Sequence, residues 1–197
     1  MIKILLLGLT ILISILTSQP VLAESSQTND PRSKILQAYF AKYKSPLVDE
    51  APNFIEAADK YDLDWKLVPS ITGVESTFGK HIPGGSDPKY TSYNGWGWGV
   101  YGTQAIYFKS WREGIFTVSE GLRQNYLNKG LVNPYEINRI YAASPSWGAH
   151  VSYFLNDLDR FDQEYRAEHS ELAQLLVINY NVANSSYSRI TTTALTY

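Results

Sequence analysis

Apolar positions recur at intervals of three and four residues along most of the chain, the spacing of helices with one inner face. Ile35, Leu36, Tyr39, Phe40 and Tyr43 mark such a face, and Pro46 ends the segment that carries it. Pro52 sits well as an early residue of a second helix, where its missing N–H costs nothing. Phe54, Ile55, Ala58 and Tyr61 give that helix its inner face. The spacing predicts a third helix from about Lys66 to Thr77. There Leu67, Ile71, Val74 and Phe78 form one narrow apolar stripe, Pro69 falls in the first turn, and Gly79 is a natural stop. Ser110-Trp111-Arg112-Glu113 reads as a capping box, opening a helix that reaches about Leu127 and stops before Gly130. Asn133-Pro134-Tyr135-Glu136 is a second such start. Ser144-Pro145 interrupts, and a last helix from about Ser146 to Tyr165 turns Val151, Phe154, Leu155 and Leu158 inward.

Two stretches break this periodicity. From Lys80 to Thr103 Gly, Pro, Ser and aromatic residues follow one another without a period, as in a long loop or a small irregular hairpin. Loops of that length inside a compact domain are commonly functional. Within it Tyr93, Trp96, Trp98 and Tyr101 alternate with small residues, so on an extended segment Trp96 and Trp98 share one face. That face suits stacking on sugar rings and suits packing on the helices equally well. After His169, Leu175 to Val182 and Tyr187 to Tyr197 are rich in Val, Ile, Thr and Tyr, which predicts a strand pair turning at Asn184-Ser185-Ser186 or a loosely ordered extension. The whole reads as a mainly α fold: a polar, disordered lead over residues 24–34, one domain over 35–168 and a strand-rich C-terminal extension over 169–197.

Residues 1–23 have a different purpose. Lys3 precedes an apolar run from Ile4 to Leu16, and Val21-Leu22-Ala23 has the small-residue form of a cleavage site. The run is short for a bilayer span of about 20 residues, so it is read as a secretory signal peptide cleaved after Ala23. The expected address is therefore outside the cell or on its surface, the alternative being an uncleaved N-terminal membrane anchor.

Composition narrows the chemistry. The chain has 197 residues, 44% of them apolar and 18% charged, which suits one packed domain. Seventeen basic residues against 19 acidic ones give a net charge of −2, and so no electrostatic reason to expect nucleic acid as a partner. The absence of cysteine excludes thiol catalysis, Cys-type zinc sites and disulfides. His81, His150 and His169 are far apart in sequence and outside any HExxH pattern, so neither a metal nor another cofactor is expected. Nothing in the sequence calls for a second copy, and a monomer is expected. Fifteen Tyr and five Trp are the unusual feature; both residue types pair a flat apolar face with a hydrogen-bonding edge.

Glu75 is the residue with the most chemical promise. It lies near the end of the third predicted helix, about 40° from Ile71 and about 60° from Phe78 around the axis, on the edge of the apolar stripe. An acid there is partly desolvated, which raises its pKa, and a carboxylic acid kept protonated near neutral pH is what protonation of a glycosidic oxygen requires. Other chemistries fail on inspection. Gly73 to Lys80 has the wrong glycine spacing for a P-loop, and no G-x-S-x-G elbow is present. A second catalytic carboxylate is not evident. Asp87 is the nearest candidate in the loop, and Ser86-Asp87-Pro88 better suits a turn.

These residues carry a resemblance. Glu75-Ser76 after an apolar helix, followed by Phe78-Gly79-Lys80, resembles the catalytic helix of the lysozyme-like superfamily, which includes lytic transglycosylases, goose-type lysozymes and bacterial N-acetylglucosaminidases. Asn94-Gly95-Trp96-Gly97 is similar to the Asn-x-aromatic-Gly turn of the glucosaminidases, and Tyr141-Ala142-Ala143-Ser144-Pro145-Ser146-Trp147 to their late Tyr-Ala segment. The resemblance covers roughly Ala51 to Phe161. It implies a lysozyme-like helical domain that cleaves β-1,4 bonds of N-acetylated glycans, above all peptidoglycan, with Glu75 as general acid. Tyr93, Asn94, Trp96, Trp98 and Tyr141 would line the cleft. The Gly-Leu-Met-Gln run of lytic transglycosylases is absent, which leaves open the bond cut and the choice between a hydrolysed and a 1,6-anhydro product. A non-catalytic glycan-binding module and a cell-surface structural protein are the alternative readings of the same residues.

Overall fold

The computed structural model describes residues 29–99 and 104–194, with side chains through residue 181. The signal-peptide segment, residues 24–28 of the polar lead, and Tyr101 lie outside the described residues, as do the side chains of the predicted Tyr187–Tyr197 strand. The described chain is helical. Helix α1 spans Pro31–Lys42, α2 Ala51–Tyr61, α3 Leu67–Ser76, α4 Trp111–Asn125, α5 Pro134–Tyr141 and α6 Trp147–Ala194, with short 3-10 turns at Val48–Glu50 and Leu127–Lys129. No described helix is long and apolar enough to cross a membrane.

Most helix ends sit where the local signals place them. The Ser110 hydroxyl accepts from the Glu113 N–H to start α4, and Asn133 with Glu136 closes a full capping box at α5. Helix α1 begins earlier than expected. Asp30 caps it by accepting from the Arg32 N–H, with Pro31 as the first helical residue. Residues 31–34, expected to belong to the disordered lead, are therefore helical, because a polar segment with an Asp-Pro start is a helix entrance when an apolar face follows.

The core is aromatic. Tyr39, Phe40, Phe54, Phe78 and Trp96 are all fully buried, with edge-on or tilted ring contacts linking α1, α2 and the segments after α3. Helix α3 runs through the middle of this core. The sequence predicts one narrow stripe for it, but every residue from Leu67 to Gly73 is buried, as is Ser76, because α6 packs on one side and the aromatic loop returns over another. Gly73 makes the α3–α6 approach possible: a Cβ there would lie 2.9 Å from both Phe154 and Phe78.

A buried carboxylate ties α1 to α6. Asp157, only 4% exposed, accepts from the hydroxyls of Tyr39 (2.9 Å) and Tyr43 (2.8 Å) and also pairs with Arg160. Burial pushes its pKa up, but the two hydroxyls, Lys42 and Arg160 more than reverse this and hold it below the ordinary 3.8. Because the folded value is the lower one, this stabilisation is complete above pH 3.8 and is lost as pH falls through the lowered value. Asp157→Ala removes the acceptor that the Tyr39 and Tyr43 hydroxyls share and is expected to cost about 1–3 kcal/mol in urea unfolding at neutral pH. A variant as stable as the wild type would show that the tie contributes nothing.

The C-terminal strand pair is corrected. Residues 175–182 and 187–194 continue α6, which runs unbroken to Ala194. A pair of strands with no third strand and no helix to cover it is marginal in water, whereas extending a formed helix adds one hydrogen bond per residue fixed. The preference of Val, Ile and Thr for strands is too small to overcome that.

Candidate active site

At the end of α3 two consecutive non-glycine residues and a glycine are left-handed: Thr77 (φ 53°), Phe78 (φ 59°) and Gly79 (φ 79°). For the two non-glycine residues this costs on the order of 1–3 kcal/mol each. The turn is held from several sides. Phe78 buries its ring and donates its N–H to the Thr72 carbonyl, Ser45 donates to the Phe78 carbonyl at 2.7 Å, and Gly79 donates to the Ser76 hydroxyl. Ser76 in turn donates to the carbonyl of Gly95 at 2.8 Å, so the returning aromatic loop is pinned to the helix end that carries Glu75.

Glu75 is the penultimate residue of α3 and is half-buried. Its Oε1 accepts a hydrogen bond from the indole N–H of Trp147 at 2.6 Å. Its Oε2 faces Gly97, where a Cβ would lie only 3.0 Å away, and Gly97 itself is left-handed at φ 61°. Both conditions require glycine at that position. Burial raises the Glu75 pKa above its ordinary value, and the Trp147 hydrogen bond opposes this only in part.

Trp147 is held in turn. It is the first residue of α6, nearly fully buried, and its ring stacks on Tyr141 at 4.6 Å and 24°. Asn138 shapes the turn between α5 and α6. Its amide donates to the carbonyls of Ala142 and Ser144, and its oxygen accepts from the Gly148 N–H. The Tyr141 hydroxyl donates to the Trp96 carbonyl at 2.7 Å. Burial first, then the Glu75 charge, pushes the Tyr141 pKa well above its ordinary value, so its hydroxyl stays protonated and keeps donating.

The structure divides the five predicted cleft residues. Tyr141 and Trp98 come together, with rings 5.9 Å apart, and both line an open groove of about 420 Å³ that begins at Gly97. Asn94 is buried and acts on the loop. Its amide donates to the carbonyls of Trp98 (2.8 Å) and Ile106 (3.0 Å), and its oxygen accepts from the Trp98 N–H (3.0 Å). Tyr93 is half-buried and packs edge-on against Trp111 at 5.6 Å. Trp96 is 0% exposed, so its ring is core and not a platform for sugar. It packs on Phe54 and Trp111, and its indole N–H donates to the Val68 carbonyl. Trp96 and Trp98 do not share a face, because the chain turns at Gly97 instead of running extended. Asp87 makes the turn foreseen for it, accepting from the Lys89 N–H at 2.9 Å.

In the sequence Trp147 only closes the late Tyr-Ala segment and has no assigned part in the site, and Gly97 has only its place in the Asn-x-aromatic-Gly turn. A Trp opening a helix after Ser-Pro was the only local signal for the first; neither contact is visible from spacing.

No family model matches the sequence, and no curated protein is significantly similar to it. Solved structures do match. Two structures of autolysin E from S. aureus, one of a catalytic mutant with the disaccharide NAG-NAM and one with the muropeptide NAM-L-Ala-D-iGlu, each align with a TM-score of 0.54 at 20% identity. The alignment covers 65% of this chain and 66% of that of autolysin E, just under two thirds of its length. Its mainly helical architecture is thus the lysozyme-like fold that it shares with autolysin E.

Proposed function

We propose that this protein is an exported glycosidase or lytic transglycosylase that cleaves β-1,4 bonds of peptidoglycan strands, with Glu75 as the general acid. The arrangement of Glu75 is what carries the reading. An indole N–H can only donate, so Oε1 must accept, and the acidic proton belongs on Oε2, the oxygen that faces Gly97 where the groove begins. The raised pKa keeps that proton in place to higher pH than an ordinary glutamate would.

In the proposed step Oε2–H gives its proton to the glycosidic oxygen as the bond to the anomeric carbon breaks. The leaving sugar departs as an alcohol, and Glu75 is left as a carboxylate stabilised by Trp147. Water, or the sugar's own 6-hydroxyl, then bonds to the anomeric carbon and gives its proton to the Glu75 carboxylate, which restores the acid. The first route gives a reducing end and the second a 1,6-anhydro end. Trp98 and Tyr141 offer the groove's ring surfaces to the substrate, and Asn94 keeps the loop in shape. The likeness to autolysin E, solved with peptidoglycan fragments, supports the choice of glycan.

Mass spectrometry of purified peptidoglycan incubated with the wild-type protein tests this reading. Soluble disaccharide-peptide fragments are expected, and their terminal sugar identifies the bond cut and the route. Glycan retained by the protein without release of any fragment would point instead to a binding module.

A further inference from the structure

Helix α6 outlasts the domain it belongs to. At about 1.5 Å per residue its 48 residues extend about 72 Å. Leu158 and Phe161 still pack on the core, but every residue from Arg166 to Asn181 is exposed. The backbone stays helical to Ala194, about 43 Å beyond residue 165.

This stretch is not built for water. Leu172, Leu175, Leu176, Val177, Ile178 and Tyr180 each expose between 49% and 69% of their surface. A contiguous apolar surface of that kind marks an interaction site. The inner face of α6 also does not stop where the domain does. The steps of three and four that place Leu158 and Phe161 on the core run on through Tyr165, Glu168, Leu172, Leu175 and Asn179. An average step of about 3.5 residues is the seam of helices wound together, and a single Asn within such a seam fixes its register and number of strands.

Charge selects the partner and its direction. Glu164, Glu168 and Glu171 lie at the foot of the exposed stretch, whereas no acidic residue occurs from Leu172 to Tyr197. In a parallel pair Glu168 would meet Glu168 inside the seam; in an antiparallel pair it meets the acid-free stretch of its partner. A membrane surface fits less well. Helices that lie on lipid carry Lys and Arg on their polar face, and Leu172 to Ser188 contains no charged residue.

The foot of the exposed helix has room for a partner. An open cleft of about 360 Å³ lies there between the start of α1 and α6, with Ile35, Tyr165, Arg166 and His169 in its walls. Full antiparallel overlap brings the far end of each helix to this cleft on the other copy. Two helices about 10–12 Å across, laid together over about 43 Å, cover close to 500 Å² per copy and about 1,000 Å² in total, the lower bound for a specific interface.

We infer that the protein forms an antiparallel dimer through the second half of α6, a second copy covering the Leu172–Leu176 face and the cleft at its foot. The two domains then stand at opposite ends of one rod. The monomer expected from the sequence would leave the whole face in water. The assignment is independent of the glycosidase reading.

Sedimentation velocity of the full exported chain over a concentration series tests it. A reversible dimer is expected, with a dissociation constant in the micromolar range, the weak end for protein interfaces. Leu172→Glu combined with Leu176→Glu should raise that constant at least about tenfold. Both side chains are exposed, so the urea midpoint of the domain should not move. Direction is read separately, because the chain has no cysteine of its own. Under air oxidation Asn179→Cys, near the middle of the overlap, should give a disulfide-linked dimer. Glu168→Cys should not, since antiparallel pairing holds the two positions tens of ångströms apart. A chain that stays monomeric well above the micromolar range would overturn the dimer, as would a dimer that the paired glutamates leave unchanged. Disulfide formation by Glu168→Cys would overturn the antiparallel arrangement. A monomer that sediments with phosphatidylethanolamine–phosphatidylglycerol vesicles would give the face to a membrane instead.

Discussion

Trp96→Ala is expected to destabilise the protein by about 3–5 kcal/mol, the range for truncating a large aromatic in a core. The indole is completely buried between Phe54 and Trp111, and α4 approaches it so closely that a Cβ on Gly114 would lie 2.7 Å from its ring. Truncation opens a cavity there and strips the Val68 carbonyl of the indole donor. Total stabilities of about 5–15 kcal/mol make this a large fraction. Urea unfolding should show a midpoint far below that of the wild type. The loss should also reach the site, since the Trp96 carbonyl anchors the Tyr141 hydroxyl. A variant of normal stability and weakened glycan affinity would mean that the indole faces substrate after all.

Much of the architecture was legible along the chain because its signals are local. Asn133 with Glu136, Ser110 with Glu113, and Pro52 mark helix starts by hydrogen bonds and backbone geometry that span only a few residues. Glu75 was legible for a related reason. Its place on the edge of an apolar face already implied partial burial, and the structure adds the partners.

What failed depended on contacts distant in sequence. The alternation of Trp96 and Trp98 suggested an extended strand with one aromatic face. The left-handed turn at Gly97 sends one ring into the core and leaves the other on the groove. Helix α3 looked half-buried because a stripe on one helix says nothing of how many neighbours surround it. The bond from Trp147 to Glu75 joins residues 72 positions apart, and no period connects them. The C-terminal segment misled in the opposite way. Its β-branched residues were weighed without a sheet for them to join, and α6 simply continues through them.

The central claim is that Glu75 supplies a proton. Glu75→Gln retains the size of the side chain and an oxygen able to accept from Trp147, but it has no acidic proton to give. The fold should tolerate it well. Because the Glu75 pKa is raised in the folded state, the native protein binds more protons than the unfolded chain between 4.5 and that raised value. The carboxyl therefore makes its most favourable contribution at low pH, and stability declines as pH rises through that window. A neutral glutamine escapes this decline. Catalysis should follow the same titration: wild-type turnover falls as pH rises through the raised Glu75 pKa, because only the protonated form donates. The most direct measurement is the rate of muropeptide release from purified peptidoglycan by equal amounts of folded wild type and Glu75→Gln, at one pH on the acid side of that fall. A loss of at least about 10²-fold, with glycan binding retained, is the predicted result. A well-folded Glu75→Gln protein that releases fragments at the wild-type rate would contradict it.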